Sequence, residues 1–245
     1  MTLQAKATSR KPFALPTNAA KRLVDIVASA VGLLLLLPVF TVIAIAIRLD
    51  DGGSVFYRQT RVGRGGRSFE INKFRSMTPS NRSGRSTNLT VAGDRRITRL
   101  GAFLRRSKLD ELPQLLNVLR GEMSLVGPRP ETPDLIAHYT PAQRTAILSV
   151  RPGMTDWASL ILKDESVLLA TAADPERFYR ERLMPLKYEL CVHYVEEIGP
   201  VTDIRIILAT IWAILLPKAR NPWIERGLIG RFDVRCSPKR ENAIR

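Results

Sequence analysis

Residues 26–47, IVASAVGLLLLLPVFTVIAIAI, decide the fold class of this chain of 245 residues. The segment carries no charged residue over its 22 positions. About 20 apolar residues are enough for a helix to cross a bilayer. The segment is longer than the apolar part of a cleavable signal peptide, and no cleavage site of the A-x-A type follows it. It therefore predicts a helix that is embedded in a membrane.

Two features bear on how this helix lies in the membrane. Pro38 stands in the middle of the segment, where its missing N–H and its ring kink a helix. Basic residues flank both ends, with Lys21 and Arg22 before the segment and Arg48 after it. Because basic flanks stay on the cytoplasmic side, both ends favour the same side, which predicts a re-entrant helix over residues 21–49. The alternative is a signal anchor that spans the membrane and tolerates the proline.

The charge of the chain favours an anionic partner. Lys and Arg number 38 against 23 Asp and Glu, which gives a formal net charge of +15. Such an excess is typical of proteins that meet nucleic acid, an anionic membrane surface or a phosphorylated substrate. Aromatic residues make up only 7% of the chain and are not interleaved with the basic ones, so a base-stacking surface is not indicated. We expect no nucleic-acid partner.

Cysteine and histidine give no sign of a metal centre or a disulfide framework. Cys191 and Cys236 lie far apart and form no CxxC pair, which fits a reducing cytosolic setting and two ordinary thiols. His138 and His193 are too isolated for a histidine metal site and are expected at the surface or in packing.

After the membrane segment the pattern is short strands and then helices. VFYRQT and SFEIN alternate apolar and polar residues around Arg64-Gly65-Gly66-Arg67, which predicts a β-hairpin; the glycines do not form a GxxxxGK[ST] phosphate loop. Thr78 to Thr90 is predicted to be a mobile loop. Residues 94–106 have the spacing of a basic amphipathic helix, which suits the membrane interface or packing on the protein. The apolar stretch 204–216 is too short to span and is expected at the interface.

These patterns predict a mainly α-helical fold with a small β-hairpin. The re-entrant membrane helix and the amphipathic interfacial helices would surround a cytoplasmic catalytic core. The chain then divides into a basic N-terminal lead (1–20), the re-entrant membrane helix (21–49), a cytoplasmic and interfacial catalytic domain (50–217) and a basic C-terminal tail (218–245).

The stretch 107–130, SKLDELPQLLNVLRGEMSLVGPRP, carries the candidate chemistry. Pro113 is tolerated only in the first turn of a helix, so the helix is expected to begin near the acid pair Asp110-Glu111. Arg105, Arg106 and Lys108 precede the pair, and the stiff Gly127-Pro128-Arg129-Pro130 turn presents one further guanidinium.

Two interpretations of the acid pair stay open at this point. Asp110 could be an ordinary helix N-cap, and Glu111 could complement the helix dipole. Alternatively, a helix start surrounded by cations suits phosphate oxygens. One carboxylate could then hold Mg²⁺, while the other attacks phosphorus and forms an acyl phosphate. The chain contains no DxD metal–nucleotide motif and no Ser-His arrangement.

Seven blocks give the chain a specific resemblance. It resembles the bacterial sugar transferase family, the monotopic polyprenyl-phosphate phosphoglycosyl transferases. The matching blocks run in order over most of the chain: KRLVDI (21–26), VFYRQTRVG (55–63), NKFRSM (72–77), DRRITRLGAFLRR (94–106), SKLDELPQLLNVLRGEMSLVGPRPE (107–131), VRPGMTDWAS (150–159) and VTDIRIILATI (201–211).

The resemblance implies an enzyme on the cytoplasmic face of the bacterial inner membrane. Such an enzyme transfers a sugar 1-phosphate from a UDP-sugar to polyprenyl (undecaprenyl) phosphate and releases UMP. This starts a membrane-linked glycan such as exopolysaccharide, O-antigen or a glycoprotein glycan. Inner-membrane lipids are expected partners, and a homodimer is left open. The alternative is a membrane-anchored, non-catalytic assembly protein of the same fold.

The resemblance also implies roles for individual residues. Asp110 aligns with the nucleophile that forms a covalent aspartyl-phosphosugar, and Glu111 with its Mg²⁺-binding partner. Arg105 and Arg129 align with basic residues that face the phosphates. Lys73 and Arg75 are expected to assist them.

Two departures from the family pattern matter. Leu37 stands before Pro38 where many members have serine, which leaves the kink with one side-chain hydrogen bond fewer. Residues 155–159 read TDWAS where many members carry a TGWAQ-like stretch. Because this region is expected to shape the sugar pocket, the identity of the sugar is not predicted.

Overall fold

The computed structural model describes residues 19–78, 93–217 and 219–224. Most of the predicted N-terminal lead lies outside these ranges. So does the predicted loop at Thr78–Thr90 from residue 79 onward. Of the predicted tail, only residues 219–224 are described, so Cys236 is also outside.

The first helix, α1, spans Ala19–Asp51 and contains the whole apolar segment with Pro38 inside it. Its length and composition suffice to cross a membrane, and most of its apolar side chains are exposed. Thr41 Oγ1 donates a hydrogen bond to the Leu37 carbonyl at 3.0 Å, one turn from the proline. The chain leaves the helix through Gly52, which has a positive φ of 70°, a conformation that glycine commonly adopts at the end of a helix.

Both ends of α1 are attached to the rest of the protein. Near its C-terminal end, Ile43 and Ile47 are buried in one cluster with Phe74 and Leu104. Near its N-terminal end, three polar side chains make hydrogen bonds to the main body: Lys21 to Val126 and Asp203, Arg22 to Val118 and Leu119, and Asp25 to Ser124 and Leu125. One folded body therefore holds both ends of the apolar helix.

The predicted β-hairpin is confirmed. Strands β1 (Phe56–Val62) and β2 (Ser68–Phe74) pair antiparallel, with Phe56 opposite Phe74. The turn over Arg64–Gly66 places Gly65 and Gly66 at φ 67° and 80°. Glycine adopts this left-handed region without steric cost. The geometry of the turn therefore accounts for the two glycines, and a phosphate-binding role is not needed to explain them.

A second sheet was not predicted from the sequence. Strands β3 (Ser124–Val126) and β4 (Gly153–Thr155) pair in parallel over three residues each. A Cβ atom at Gly153 would overlap with the backbone of Gly127. The two segments therefore approach each other closely because both have glycine at the point of contact. This sheet places the turn after β3 next to the segment that leads into residues 156–159.

The remainder of the described chain is helical, so the prediction of a mainly α-helical fold is confirmed. Thr98 caps α2 by accepting from the Gly101 N–H, so this helix begins later than the predicted residue 94. Trp157, Tyr179 and Tyr194 are buried in the main hydrophobic core, and Trp223 packs against it. The nine helices that follow α1 in the described ranges are α2 (Arg99–Arg106), α3 (Gln114–Arg120), α4 (Pro133–Ala137), α5 (Pro141–Ile147), α6 (Trp157–Ile161), α7 (Glu165–Thr171), α8 (Pro175–Phe178), α9 (Met184–Glu196) and α10 (Pro200–Leu215).

Exposed apolar side chains extend beyond α1. Phe103 on α2 is 58% exposed. On α10 the exposed apolar residues are Val201, Ile204, Leu208, Ile211, Ile214 and Leu215. A surface of this kind, next to a helix that is apolar along its length, is typical of contact with a membrane.

Candidate active site

The acid pair lies in a short 3₁₀ turn, Leu109–Glu111, and not at the start of an α-helix. The prediction that the helix begins near Asp110 was therefore wrong. The turn is closed by the Leu112 N–H donating to the Leu109 carbonyl, and α3 begins only after Pro113. Lys108, at φ 59°, adopts the left-handed conformation that turns the chain from α2 into this 3₁₀ turn.

Asp110 is buried, with 6% of its surface exposed, and it lines a cavity. Its Oδ1 has no hydrogen-bond partner among the described residues. Lys108 and Pro113 stand at the N-cap positions of the 3₁₀ turn and of α3, which contradicts the interpretation of Asp110 as a helix cap. Burial and the charge of Glu111 raise the pKa of the Asp110 carboxyl, against the opposing charges of Lys73, Arg105 and Lys108. An unpaired buried carboxylate oxygen costs roughly 1–3 kcal/mol, which is typical of a group kept for reaction.

Glu111 is bonded to two cations. Its Oε1 accepts from Lys73 Nζ at 2.8 Å and from Arg129 at 2.5 Å, and its Oε2 accepts from Arg129 at 3.3 Å. Burial by itself would raise the pKa of Glu111, but the charges of Arg129 and Lys73 and the hydrogen bond from Arg129 hold it well below its usual range. Glu111 is therefore ionised and fixes both cations in place.

The two cations respond differently to this pairing. The charge of Glu111 raises the pKa of Arg129 further. Burial lowers the pKa of Lys73, and Glu111 offsets only part of that. Arg129, with 37% of its side chain exposed against 17% for Lys73, is the principal partner of Glu111. It is also the cation more open to a ligand.

Asp156 positions Arg129 through the backbone. Its Oδ2 accepts from the Arg129 N–H at 3.2 Å, while its Oδ1 caps α6 by accepting from the Ser159 N–H at 2.7 Å. Asp156 is 4% exposed. The sequence contained the signal of an aspartate before a helix, yet residues 155–159 were assigned only to the sugar pocket, and the link to Arg129 was missed.

Five of the predicted site residues, Lys73, Arg75, Arg105, Asp110 and Arg129, line one cavity of about 890 Å³. This size suits a ligand pocket. Glu111 is connected to the cavity through Lys73 and Arg129, the two lining cations to which it is bonded. Pro38 lies in the middle of α1 and is not part of the cavity lining. The end of the cavity around Asp110, called the cationic end below, is lined by Arg58, Lys73, Arg75, Arg96, Arg105, Lys108 and Arg129.

Comparison with known proteins identifies the family. The family model described as "Bacterial sugar transferase" matches residues 16–217. The chain belongs to the bacterial sugar transferase family. The resemblance inferred from the sequence motifs is thereby confirmed.

Individual members of the bacterial sugar transferase family agree with this assignment. The chain is 37% identical over 202 residues to "UDP-glucose:undecaprenyl-phosphate glucose-1-phosphate transferase" of Xanthomonas campestris pv. campestris, covering 81% of this chain and 39% of that protein. It is 43% identical over 156 residues to "Undecaprenyl-phosphate glucose phosphotransferase" of Komagataeibacter xylinus, covering 62% of this chain and 29% of that protein.

A third relative is matched over nearly its whole length. "Exopolysaccharide production protein ExoY" of Rhizobium meliloti (strain 1021) is 34% identical over 238 residues, which cover 87% of this chain and 97% of that protein. The chain thus spans less than two fifths of the first two relatives but almost all of the third.

The structure also shows polar residues in the cavity that sequence reasoning did not single out. Glu131, Glu165, Tyr179 and Lys187 also line this cavity. Glu131 directly follows the Gly127–Pro130 turn, so its position in the motif was a usable signal. The other three come from separate helical segments and share no motif spacing.

Proposed function

We propose that this protein transfers a sugar 1-phosphate from a UDP-sugar to undecaprenyl phosphate and so starts a membrane-linked glycan such as exopolysaccharide. The observation that carries this proposal is the buried carboxyl group of Asp110, which lines a cavity bordered by cations and whose Oδ1 has no hydrogen-bond partner among the described residues. Cations around a reactive carboxylate suit a diphosphate substrate. The two relatives named as undecaprenyl-phosphate glucose phosphotransferases support the same reaction.

In the first half of the reaction, a carboxylate oxygen of Asp110 attacks the β-phosphorus of the UDP-sugar. A new oxygen–phosphorus bond forms, and the bond from that phosphorus to the bridging oxygen breaks. UMP leaves with the bonding electron pair. Arg129, Arg105 and Lys73 are positioned to neutralise the negative charge that develops on the phosphate oxygens. The product on the enzyme is an aspartyl-phosphosugar.

In the second half, a phosphate oxygen of undecaprenyl phosphate attacks the same phosphorus. The bond to Asp110 breaks and the carboxylate leaves with its electron pair, ready for another cycle. The product is a sugar linked through a diphosphate to the lipid. Because one nucleophile serves both halves, the cavity never has to hold the nucleotide and the lipid together.

Mg²⁺ is part of the proposal. In the described part of the chain, no three His, Cys, Asp or Glu side chains are grouped to hold a metal ion. Mg²⁺ typically takes one or two carboxylates and completes its shell with substrate phosphates and water. The Oε2 of Glu111, with its single long hydrogen bond, suits such a site. When bound, Mg²⁺ would supply positive charge to the diphosphate.

We further propose that α1 is re-entrant at the cytoplasmic face of the inner membrane. Its two ends are bonded to the same body, through Lys21, Arg22 and Asp25 at one end and Ile43 and Ile47 at the other. If α1 spanned the bilayer, one of these attachments would have to be broken or placed on the far side. Impermeant-thiol labelling of cysteines placed at residues 20 and 53 tests this proposal, and labelling from opposite sides would contradict it.

The direct test of the reaction is UMP release from purified protein in detergent. Undecaprenyl phosphate, Mg²⁺ and a panel of UDP-sugars are supplied to the unmodified protein, to Asp110→Asn and to the control Asp134→Asn on the exposed face of α4. We expect release beyond one UMP per protein to require lipid phosphate. All release should be abolished by EDTA and, of the two variants, by Asp110→Asn only. No release from any donor would favour the non-catalytic assembly protein, and release that survives Asp110→Asn would contradict the covalent route.

A further inference from the structure

A second polar cluster lines the same cavity as Asp110 and makes no hydrogen bond to it among the described residues. We call Glu131, Glu165, Tyr179 and Lys187 the Lys187 cluster. Lys187 Nζ lies 2.8 Å from Glu165 Oε2, 3.1 Å from Tyr179 Oη and 3.9 Å from Glu131 Oε1. Tyr179 Oη donates to Glu131 Oε1 at 3.2 Å. The proposed transfer of phosphate uses none of these four residues, so their presence in the cavity requires another explanation.

The Lys187 cluster is balanced in charge. Its two carboxylates face the ammonium of Lys187 and the guanidinium of Arg61, whose pKa is lowered by burial and raised by Glu131. Arg61 donates to the Pro130 carbonyl at 3.2 Å, and its buried Nε has no partner among the described residues. Two positive and two negative groups leave this end neutral, whereas the cationic end carries an excess of positive charge. A diphosphate is therefore favoured at the cationic end and an uncharged, hydroxyl-rich group at the other.

The two ends meet at the Gly127–Pro130 turn. Arg129 and Glu131 are two residues apart, which limits their Cα atoms to a separation of about 7 Å. Charges also interact between the two groups of residues. The charge of Glu131 acts to raise the pKa of Arg129, and the charge of Arg129 acts to lower the pKa of Lys187. In a UDP-sugar the hexose is bonded directly to the β-phosphorus, whereas the uridine is one phosphate further away. A phosphorus placed between Asp110 and Arg129 therefore brings the hexose, and not the uridine, next to Glu131.

On the basis of the proposed function, we propose that the Lys187 cluster binds the hexose of the UDP-sugar and selects among sugars by their hydroxyl groups. Carboxylates accept hydrogen bonds from hydroxyls, and Lys187 and Arg61 donate to them. Tyr139 and Leu169 line the same end and offer apolar surface to the ring. When a sugar lacks a hydroxyl at the position that the cluster binds, the buried polar groups there stay unpaired. Such a site therefore discriminates strongly between sugars.

The test is equilibrium binding by calorimetry with full-length protein in detergent. All variants carry Asp110→Asn, so that no donor is consumed. Dissociation constants are measured for UMP and for two epimeric pairs: UDP-glucose with UDP-galactose, and UDP-N-acetylglucosamine with UDP-N-acetylgalactosamine. Glu165→Gln and Lys187→Met alter the cluster. Lys163→Met is the matched control, because Lys163 lines the same cavity but donates to the Pro217 carbonyl.

We expect Glu165→Gln to change the ratio of dissociation constants within an epimeric pair by about tenfold. UMP binding should stay within about twofold, and Lys163→Met should leave the ratio unchanged. If Lys187→Met fails to fold, Glu165→Gln carries the test, since it retains a hydrogen-bonding side chain of the same size.

Two results would overturn the inference. Weaker UMP binding with unchanged epimer ratios would place the nucleoside, and not the hexose, at the cluster. Unchanged constants for every ligand, in variants with the unfolding temperature of the parent, would make the cluster purely structural. Because these constants do not depend on turnover, a lack of UMP release by the unmodified protein rejects the proposed reaction separately from the sugar site.

Discussion

The two ends of the cavity differ in charge and in how the chain builds them. The cationic end draws Lys73 from the end of β2, Arg105 from α2, Asp110 from the 3₁₀ turn and Arg129 from the turn after β3. The Lys187 cluster draws single residues from α7, α9 and the segment Tyr179–Leu183, and it shares the turn after β3 with the cationic end through Glu131. On the proposed function, the first arrangement would hold the diphosphate, whose chemistry is the same for every donor, and the second would surround the hexose, which differs between donors. Phosphate chemistry and sugar choice would then be separable in this fold.

Loss of Arg129 should have the largest effect at the cationic end. Arg129→Met removes the more exposed partner of Glu111 and a donor to the developing charge, so kcat for UMP release should fall by about 10²–10³-fold. Lys187→Met, at the other end, should act mainly on KM for the UDP-sugar. Steady-state kinetics of both variants separate the two ends. Equal effects on kcat would show that the cavity works as one unit.

Glu111→Gln should destabilise the protein and should do so in a pH-dependent way. It leaves Lys73 and Arg129 without their shared carboxylate, at a cost of roughly 2 kcal/mol at neutral pH after allowance for the exposed part of Arg129. Since the folded pKa of Glu111 lies below its usual 4.5, this stability is present above about pH 4.5 and is lost as the pH falls. Chemical unfolding of both proteins from pH 7 to pH 3 measures the difference, which should shrink on acidification. A constant difference would contradict the ion-pair account.

Asp156→Ala should reduce stability and activity together. The change removes the cap of α6, worth about 1 kcal/mol, and the bond that positions the Arg129 backbone. Asp174→Ala is the matched control, because Asp174 caps α8 by accepting from the Arg177 N–H. Both variants should lose similar stability in thermal unfolding, but only Asp156→Ala should release UMP about tenfold more slowly. Normal release by Asp156→Ala would show that the cap is its only role.

Two substitutions of Lys108 separate the effect of its charge from the effect of its backbone conformation. Their expected effects on activity and stability are the smallest of the four predictions. Lys108→Gly and Lys108→Ala both remove the cation, and both should raise KM for the UDP-sugar a few-fold. Only glycine accepts the φ of 59° without strain, so Lys108→Gly should be more stable than Lys108→Ala by about 1 kcal/mol. Thermal unfolding measures this difference. Equal stability would mean that the left-handed conformation is not imposed by the fold.

Residues close together in sequence were the easiest to place from the sequence. The apolar run predicted α1, and the alternation around Gly65 and Gly66 predicted the hairpin, because both depend on local periodicity. Asp110, Arg105 and Arg129 were found through contiguous motifs, and the structure brings them to one cavity.

Features that depend on long-range packing were not predictable in this way. The parallel pair β3–β4 has only three residues in each strand, too few for a periodic pattern. Asp156 and Lys187 reach the cavity through tertiary packing, with no motif to connect them to Asp110. The start of α3 was misplaced because Pro113 permits both a helix that begins at Asp110 and a 3₁₀ turn before it.

The central claim is that Asp110 carries the phosphosugar between two substrates. Its most direct test is intact-protein and peptide mass spectrometry after incubation with a UDP-sugar and Mg²⁺ in the absence of lipid acceptor. The account predicts one phosphosugar adduct per protein, located on Asp110, with release of an equal amount of UMP, and loss of the adduct when undecaprenyl phosphate is added. UMP release that requires the lipid from the start, with no adduct on Asp110, would contradict it.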